Sequence, residues 1–247
     1  MRDRIRSFVK VTRKKVPTLS GKLKYLKSKI VRKDIKLEDI AEVILNDFRL
    51  SRGDIVMVHS SLKYINLVDS RPEDLIHLLK MIIGTEGTLL MPVYARKHYD
   101  VLYSGKALDI RNTLCSTGLI NEVFRQMPDT IQSCHPLKSV AAWGRMACSL
   151  TDTHHLSELA FDENSPFYKL YLAKGKIIGI GVPLANFSFL HAIDDTNDRY
   201  FPRRYSVPVL KECIDIDGNK RQGYYRHNIP EVVERVSPYR ITKYFHN

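Results

Sequence analysis

The chain has 247 residues, 44% of them apolar and 27% charged, with 12 glycines, 11 prolines and 4 cysteines. These values exclude wholesale disorder, a collagen-like repeat and a dense disulfide scaffold, and the length suits one large or two small domains. The formal net charge of +12 sits in one place: residues 1–36 hold 14 of the 39 basic residues and 2 of the 27 acidic ones, which leaves the rest of the chain neutral.

The chain divides into a basic N-terminal arm, residues 1–36, and a single domain, residues 37–247. Nucleic acid is not expected as a partner, because the body is neutral and the arm carries no aromatic-interleaved motif. From Ser20, the apolar positions Leu23, Leu26 and Ile30 lie among Lys22, Lys24, Lys27, Lys29, Arg32 and Lys33. That spacing reads as a basic amphipathic helix. Its apolar face can pack on the body or on a second copy of the chain, or the arm can lie on an anionic membrane surface. No run of about 18 apolar residues predicts a membrane-spanning helix. The first residues lack the apolar stretch of a secretory signal. Cysteines without CxxC spacing fit a reducing compartment, so the expected location is cytoplasmic, with the inner membrane face as the arm's alternative.

Helices and short apolar strands then alternate. Leu37, Ile40, Ile44 and Phe48 mark a helix, and Ile55–Val58 a strand after the turn at Gly53. Pro72 opens a helix that Gly84 ends, followed by a strand at 88–91. A helix near 117–126, a strand at 139–143, a helix opened by Ser165-Pro166 and a strand at 177–182 complete the pattern. Such alternation predicts an α/β fold with a mixed, mostly parallel central sheet covered by helices. Residues 207–216 and 222–227 flank Asp217-Gly218-Asn219-Lys220, a hairpin signal that predicts an antiparallel C-terminal part.

Three loops follow strands, where α/β folds place ligands. The first is His59-Ser60-Ser61-Leu62, whose serines can serve a phosphate or simply cap a turn. The second is Cys134-His135-Pro136-Leu137-Lys138-Ser139; adjacent Cys134 and His135 point to opposite faces of an extended chain, so a buried inert cysteine is expected. The third contains Ser188, His191 and Asp194. If residues 188–195 are helical, the three share a face and suit general-base chemistry, with the carboxylate fixing the imidazole tautomer. By spacing alone, a capped helix with a satisfied histidine fits equally. No GxGxxG, GxxxxGK[ST], GxSxG or HExxH motif occurs, and His154-His155 makes a poor metal pair because adjacent histidines diverge. No metal is expected.

Taken in order, GDIVMVHSSL (53–62), GTEGTLLMP (84–92), CHPLKSVAAWG (134–144), ENSPFYKLYLAKGKIIGIGV (163–182) and Ser188 with His191 resemble the aminoglycoside 3-N-acetyltransferase family, which has the antibiotic N-acetyltransferase fold. The resemblance implies acetyl-CoA as donor and an amine on an amino sugar as acceptor. It implies that His59, Ser60, Ser61, Leu62, Ser139 and Val140 lie along the cofactor. It gives His191 as catalytic base, Ser188 as the hydroxyl that polarises the thioester carbonyl, and Asp194 as the carboxylate that orients the base, with Asp195 as second candidate. His135 and Tyr94 are expected on the acceptor side of the cleft. The chain departs from the family pattern with serine for threonine at 188, aspartate for glutamate at 194, Pro183 for a glycine and Ser116-Thr117 for Arg-Met. Arg199, Arg203 and Arg204 among Tyr200, Phe201 and Tyr205 suit a phosphate and a flat base. Arg199 and Arg203 therefore join the expected acceptor site, and a nucleotide-linked amino sugar for surface polysaccharide is the expected acceptor. An aminoglycoside is the alternative, with antibiotic resistance as its consequence. A CoA-binding scaffold without catalysis is the reading from another class.

Overall fold

The computed structural model describes residues 33–63, 65–196 and 205–229. The amphipathic stretch of the arm, residues 20–32, lies outside the described residues, as do Arg199, Arg203 and Arg204. The described elements are β1 (Lys33–Ile35), α1 (Leu37–Asn46), β2 (Ile55–Ser60), β3 (Ile65–Leu67), α2 (Pro72–Ile83), β4 (Thr88–Pro92), α3 (His98–Tyr103) and β5 (Leu108–Asp109). They continue with α4 (Leu119–Gln126), β6 (Ile131–Gln132), β7 (Val140–Gly144), α5 (Ala147–Thr151), α6 (Pro166–Leu172), β8 (Lys176–Ile180), α7 (Leu190–Thr196), β9 (Val209–Ile214) and β10 (Lys220–Tyr225).

The central sheet has five strands in the order β6-β7-β4-β2-β8. β2 pairs in parallel with β4 and with β8, whereas β7 runs antiparallel to both β4 and β6. Four strands therefore share one direction, in keeping with a mostly parallel sheet. Period-2 alternation divides the core between the two faces. Val56, Val58, Leu89 and Met91 face α1, α2 and α4 through Ile40, Ile44, Leu75, Leu79, Ile83 and Phe124. Met57, Leu90, Val140 and Ala142 face the other way, onto Leu150, Phe161, Phe167, Leu170 and Ala192. Each of these side chains that is fully enclosed contributes about 1.5–3 kcal/mol of hydrophobic stabilisation.

Local chemistry fixes the helix ends. Pro72 occupies the first turn of α2, the Asp74 carboxylate accepts the Arg71 N–H at 2.7 Å, and Gly84 closes the helix. Ser165 caps α6 by accepting the Tyr168 N–H at 3.2 Å. Both caps satisfy otherwise orphaned backbone donors.

Two expectations need correction. The C-terminal hairpin, β9 with β10, does not extend the central sheet; β9 pairs in parallel with β5, forming a separate three-stranded sheet. The two-residue strand β5 is too short to leave a periodic sequence signal. The body also begins before residue 37, because Lys33–Ile35 pairs with Ile65–Leu67 in a small parallel sheet. Among the described residues, no helix is long and apolar enough to cross a membrane.

Candidate active site

The C-terminal ends of β2, β4 and β8 open on one edge of the central sheet, and the antiparallel β7 begins there. The three sequence-predicted loops therefore meet at one place, as the strand directions of an α/β sheet require.

The loop after β2 is built tightly into the fold. Ser60 is buried, and its hydroxyl donates to Asn121 Oδ1 at 2.7 Å. The Asn121 amide in turn donates to the Pro92 carbonyl at 2.6 Å. Ser61 donates its N–H to the Ile180 carbonyl, and its hydroxyl oxygen accepts from the Lys63 N–H. Leu62 packs against the α1–α2 face of the core. Close backbone approach here requires glycine: Gly181 has φ +66°, and a Cβ on it would stand 2.5 Å from the Ser61 carbonyl oxygen. His59 is buried and stacks on Phe187 with ring centroids 4.9 Å apart. Its cross-strand neighbour is Gly179, where a Cβ would come within 2.4 Å of the Phe187 ring. Burial lowers the His59 pKa to about 4, so the ring is neutral, and its Nε2 has no hydrogen-bond partner.

The 134–139 loop has a different internal logic. His135 is fully buried, and its Nδ1 accepts the Leu137 and Lys138 N–H groups, both at 3.2 Å. Its ring stacks on His154 at 4.5 Å and meets Tyr225 edge-on at 4.9 Å. His154 Nδ1 lies 2.7 Å from the Ser133 hydroxyl. Burial holds the His135 pKa well below its ordinary value and lowers that of His154 to about 3. The expectation that His135 lines the cleft is therefore corrected: it lies beneath the loop and shapes it. Ser139 donates its hydroxyl to the His135 carbonyl at 2.7 Å, closing the same turn. Val140 is enclosed in the core, and its N–H donates to the Ser133 hydroxyl oxygen. Its side chain turns no surface toward a cofactor.

This turn carries Lys138. Its ammonium lies 4.3 Å from the centroid of the Tyr94 ring, and burial lowers its pKa to about 8. Tyr94 is buried in turn, which pushes its phenol pKa up; Ser188 is close enough to oppose that shift. The loop thus links Lys138 to Tyr94 and Tyr94 to Ser188.

Ser188 does not belong to α7. It lies in the preceding turn, where its carbonyl accepts the His191 N–H at 3.0 Å, and the helix starts at Leu190. Ser188, His191 and Asp194 therefore do not form one helical face. The half-buried His191 ring packs against Phe161 at 5.5 Å, and Phe161 packs against Phe167 at 4.7 Å. Asp194 is in the helix three residues beyond His191, but its side chain lies outside the described residues. Asp195 is buried; its carboxylate accepts the Phe161 N–H at 3.1 Å and the Tyr205 hydroxyl at 2.5 Å. It ties α7 to the 158–165 segment.

A cleft adjoins this arrangement, with Lys138, Phe161, Asp195, Tyr205, His98 and Arg226 among its walls. Arg226 is ion-paired with Glu158. Sequence reasoning missed Phe161, Asn121, His98 and the role of Lys138. Of these, only Lys138 left a signal, as a lone cation inside an otherwise buried run. Among the described residues, no cluster of His, Cys, Asp and Glu is suited to a metal ion.

A mixed α/β sheet with its polar loops gathered at one edge defines the class of protein. The comparisons supply the family. The profile described as aminoglycoside 3-N-acetyltransferase matches residues 57–239. The aminoglycoside N(3)-acetyltransferase III of a Salmonella species is 31% identical over 75% of this chain and 73% of its own length. The Serratia marcescens protein of the same name is 30% identical over 64% of each chain, just under two thirds of its length. A solved structure described as AAC-IIIb binary with CoASH shares the fold, with a TM-score of 0.63, 22% identity, and coverage of 80% of this chain and 77% of that one. The chain belongs to the aminoglycoside 3-N-acetyltransferase family, a family of acyltransferases.

Proposed function

We propose that the protein transfers the acetyl group of acetyl-CoA to the amine of an amino sugar. The observation that carries this reading is the family match across residues 57–239, a span that contains all three loops at the sheet edge. The named relatives make aminoglycosides the acceptor class best supported by comparison. A relative solved with CoASH and another solved with sisomicin fit the same pair of substrates. A nucleotide-linked acceptor rests on Arg199 and Arg203, which lie outside the described residues.

In the proposed mechanism the amine nitrogen attacks the thioester carbonyl carbon. His191 takes the proton as the C–N bond forms. Ser188, beside Tyr94, donates to the developing oxyanion. Collapse breaks the C–S bond and releases CoA thiol. Packing of His191 on Phe161, itself anchored to Asp195, holds the imidazole against a wall residue of the cleft. Free-thiol release from acetyl-CoA, measured against a panel of aminoglycosides and simpler amino sugars, tests the reading. Turnover on at least one amine is expected; binding of acetyl-CoA with no turnover on any amine would favour a non-catalytic CoA-binding protein.

A further inference from the structure

The cleft that Lys138 shares with Phe161 and Asp195 holds an ammonium with no ion pair among the described residues. Lys138 is held in place by the turn that His135 and Ser139 close. Among the described residues, the only partner of its ammonium is the Tyr94 ring face. Arg226 is ion-paired with Glu158, and Asp195 is held by neutral donors, the Phe161 N–H and the Tyr205 hydroxyl. His98 is neutral, its pKa lowered to about 4 first by burial and then by the charge of Lys138. A desolvated ammonium with no anion is costly, and a cation–π contact offsets only part of that cost. An anion entering the cleft would relieve it. The loop 59–61, which the family resemblance gives to the cofactor, does not line this cleft.

We propose that Lys138 is a specificity residue that binds an anionic group, phosphate or carboxylate, carried by the acceptor, so that the preferred acceptor is an acidic amino sugar and not a polycation. This rests on the N-acetyltransferase reading above. The acceptor amine would then lie toward His191, with its anion on Lys138 and its sugar ring between them, against Phe161.

The test uses the full chain, acetyl-CoA, and matched acceptors: glucosamine, glucosamine 6-phosphate, galactosaminuronic acid and an aminoglycoside panel. The wild type is expected to favour one of the acidic sugars over glucosamine by about 10- to 100-fold in kcat/KM, the range of a charge-assisted hydrogen bond. Whether phosphate or carboxylate gains more identifies the group. Lys138→Met keeps the apolar stem and should fold, since it removes a buried unpaired charge. It is expected to bring the ratio of kcat/KM for the acidic sugar over glucosamine down to near one, and Lys138→Arg is expected to restore most of that ratio. Preference for aminoglycosides with no response to Lys138→Met would overturn the proposal and leave the transferase reading intact. So would an equal loss on every acceptor, or a rise confined to the KM for acetyl-CoA, which would assign the ammonium to the cofactor's phosphates. No thiol release with any amine would remove the transferase reading, and this proposal with it.

Discussion

The two loops at the sheet edge satisfy their polar groups in opposite ways. After β2, the Ser60 hydroxyl, the Asn121 amide and both polar groups of Ser61 are bonded within the fold. Around the 134–139 loop, Tyr94, His135 and Ser157 are buried, and among the described residues the Lys138 ammonium has only the Tyr94 ring face as a partner. A closed hydrogen-bond network points to scaffold, whereas a buried ammonium that lacks an ion pair is open to a ligand's charge. By this criterion the first loop holds backbone in place for a cofactor to lie along, and the second presents side chains to the reacting groups. Among the described residues, His59 Nε2 is left without a hydrogen bond on the β2 side.

The largest expected effect falls beyond both loops, on α7. His191→Ala should lower kcat by about 10²–10⁴-fold, the usual cost of losing a general base, with the Kd for CoA nearly unchanged. Steady-state thiol release and a CoA titration check this. Near-normal turnover would remove His191 from the chemistry.

Acid stability tests what the two regions share. His59 and His154 are buried and neutral, with folded pKa values of about 4 and 3, and that of His135 is also well below its ordinary value. An unfolded histidine titrates near 6.5. Between that pH and the folded pKa, the unfolded chain binds protons that the folded chain refuses. Stability is therefore full above about pH 6.5 and falls as the pH drops toward 4. From pH 7 to pH 5 the loss should be about 2 kcal/mol for each such histidine. Urea unfolding across this range reads it directly, and a flat profile would mean that these rings are not buried in solution.

Ser188→Ala separates function from stability. Loss of one oxyanion donor should lower kcat by about 10–10³-fold. The interaction at stake in the fold is its contact with the Tyr94 hydroxyl, so stability should change by no more than about 0.5–1.5 kcal/mol. A loss of stability with unchanged kcat would reverse the roles given to the two loops.

Much of this was legible in the sequence. The alternation of apolar strands and helices gave the α/β class because a sheet covered on both faces needs nearly continuous apolar strands, as in Ile55–Val58. The loops were found because they follow those strands. Less visible was anything set by tertiary contact. The turn at Ser188 broke the apparent helical face, because three-residue spacing does not say where a helix begins. His135 reads as a ligand-facing residue, yet its neighbour His154, 19 residues away, stacks on it and keeps it inside. Asp195 could be named as a candidate partner of His191, but its bonds to Phe161 and Tyr205 are long-range and leave no local pattern.

The smallest effect is the sharpest test of the comparison. Ser60→Ala removes the donor to Asn121 and leaves a buried amide oxygen unpaired, at a cost of about 1–3 kcal/mol. If the loop after β2 is scaffold, urea unfolding should show that loss while kcat stays within about threefold of wild type. Asn121→Ala should be non-additive with it, because the two share one hydrogen bond. The family resemblance gives Ser60 a second role along acetyl-CoA, and the same variant weighs the two. A large rise in the KM for acetyl-CoA at unchanged stability would mean that the hydroxyl leaves Asn121 when the cofactor binds. The β2 loop would then belong with the 134–139 loop as ligand-facing, and an apparently satisfied hydrogen bond would have hidden a binding group.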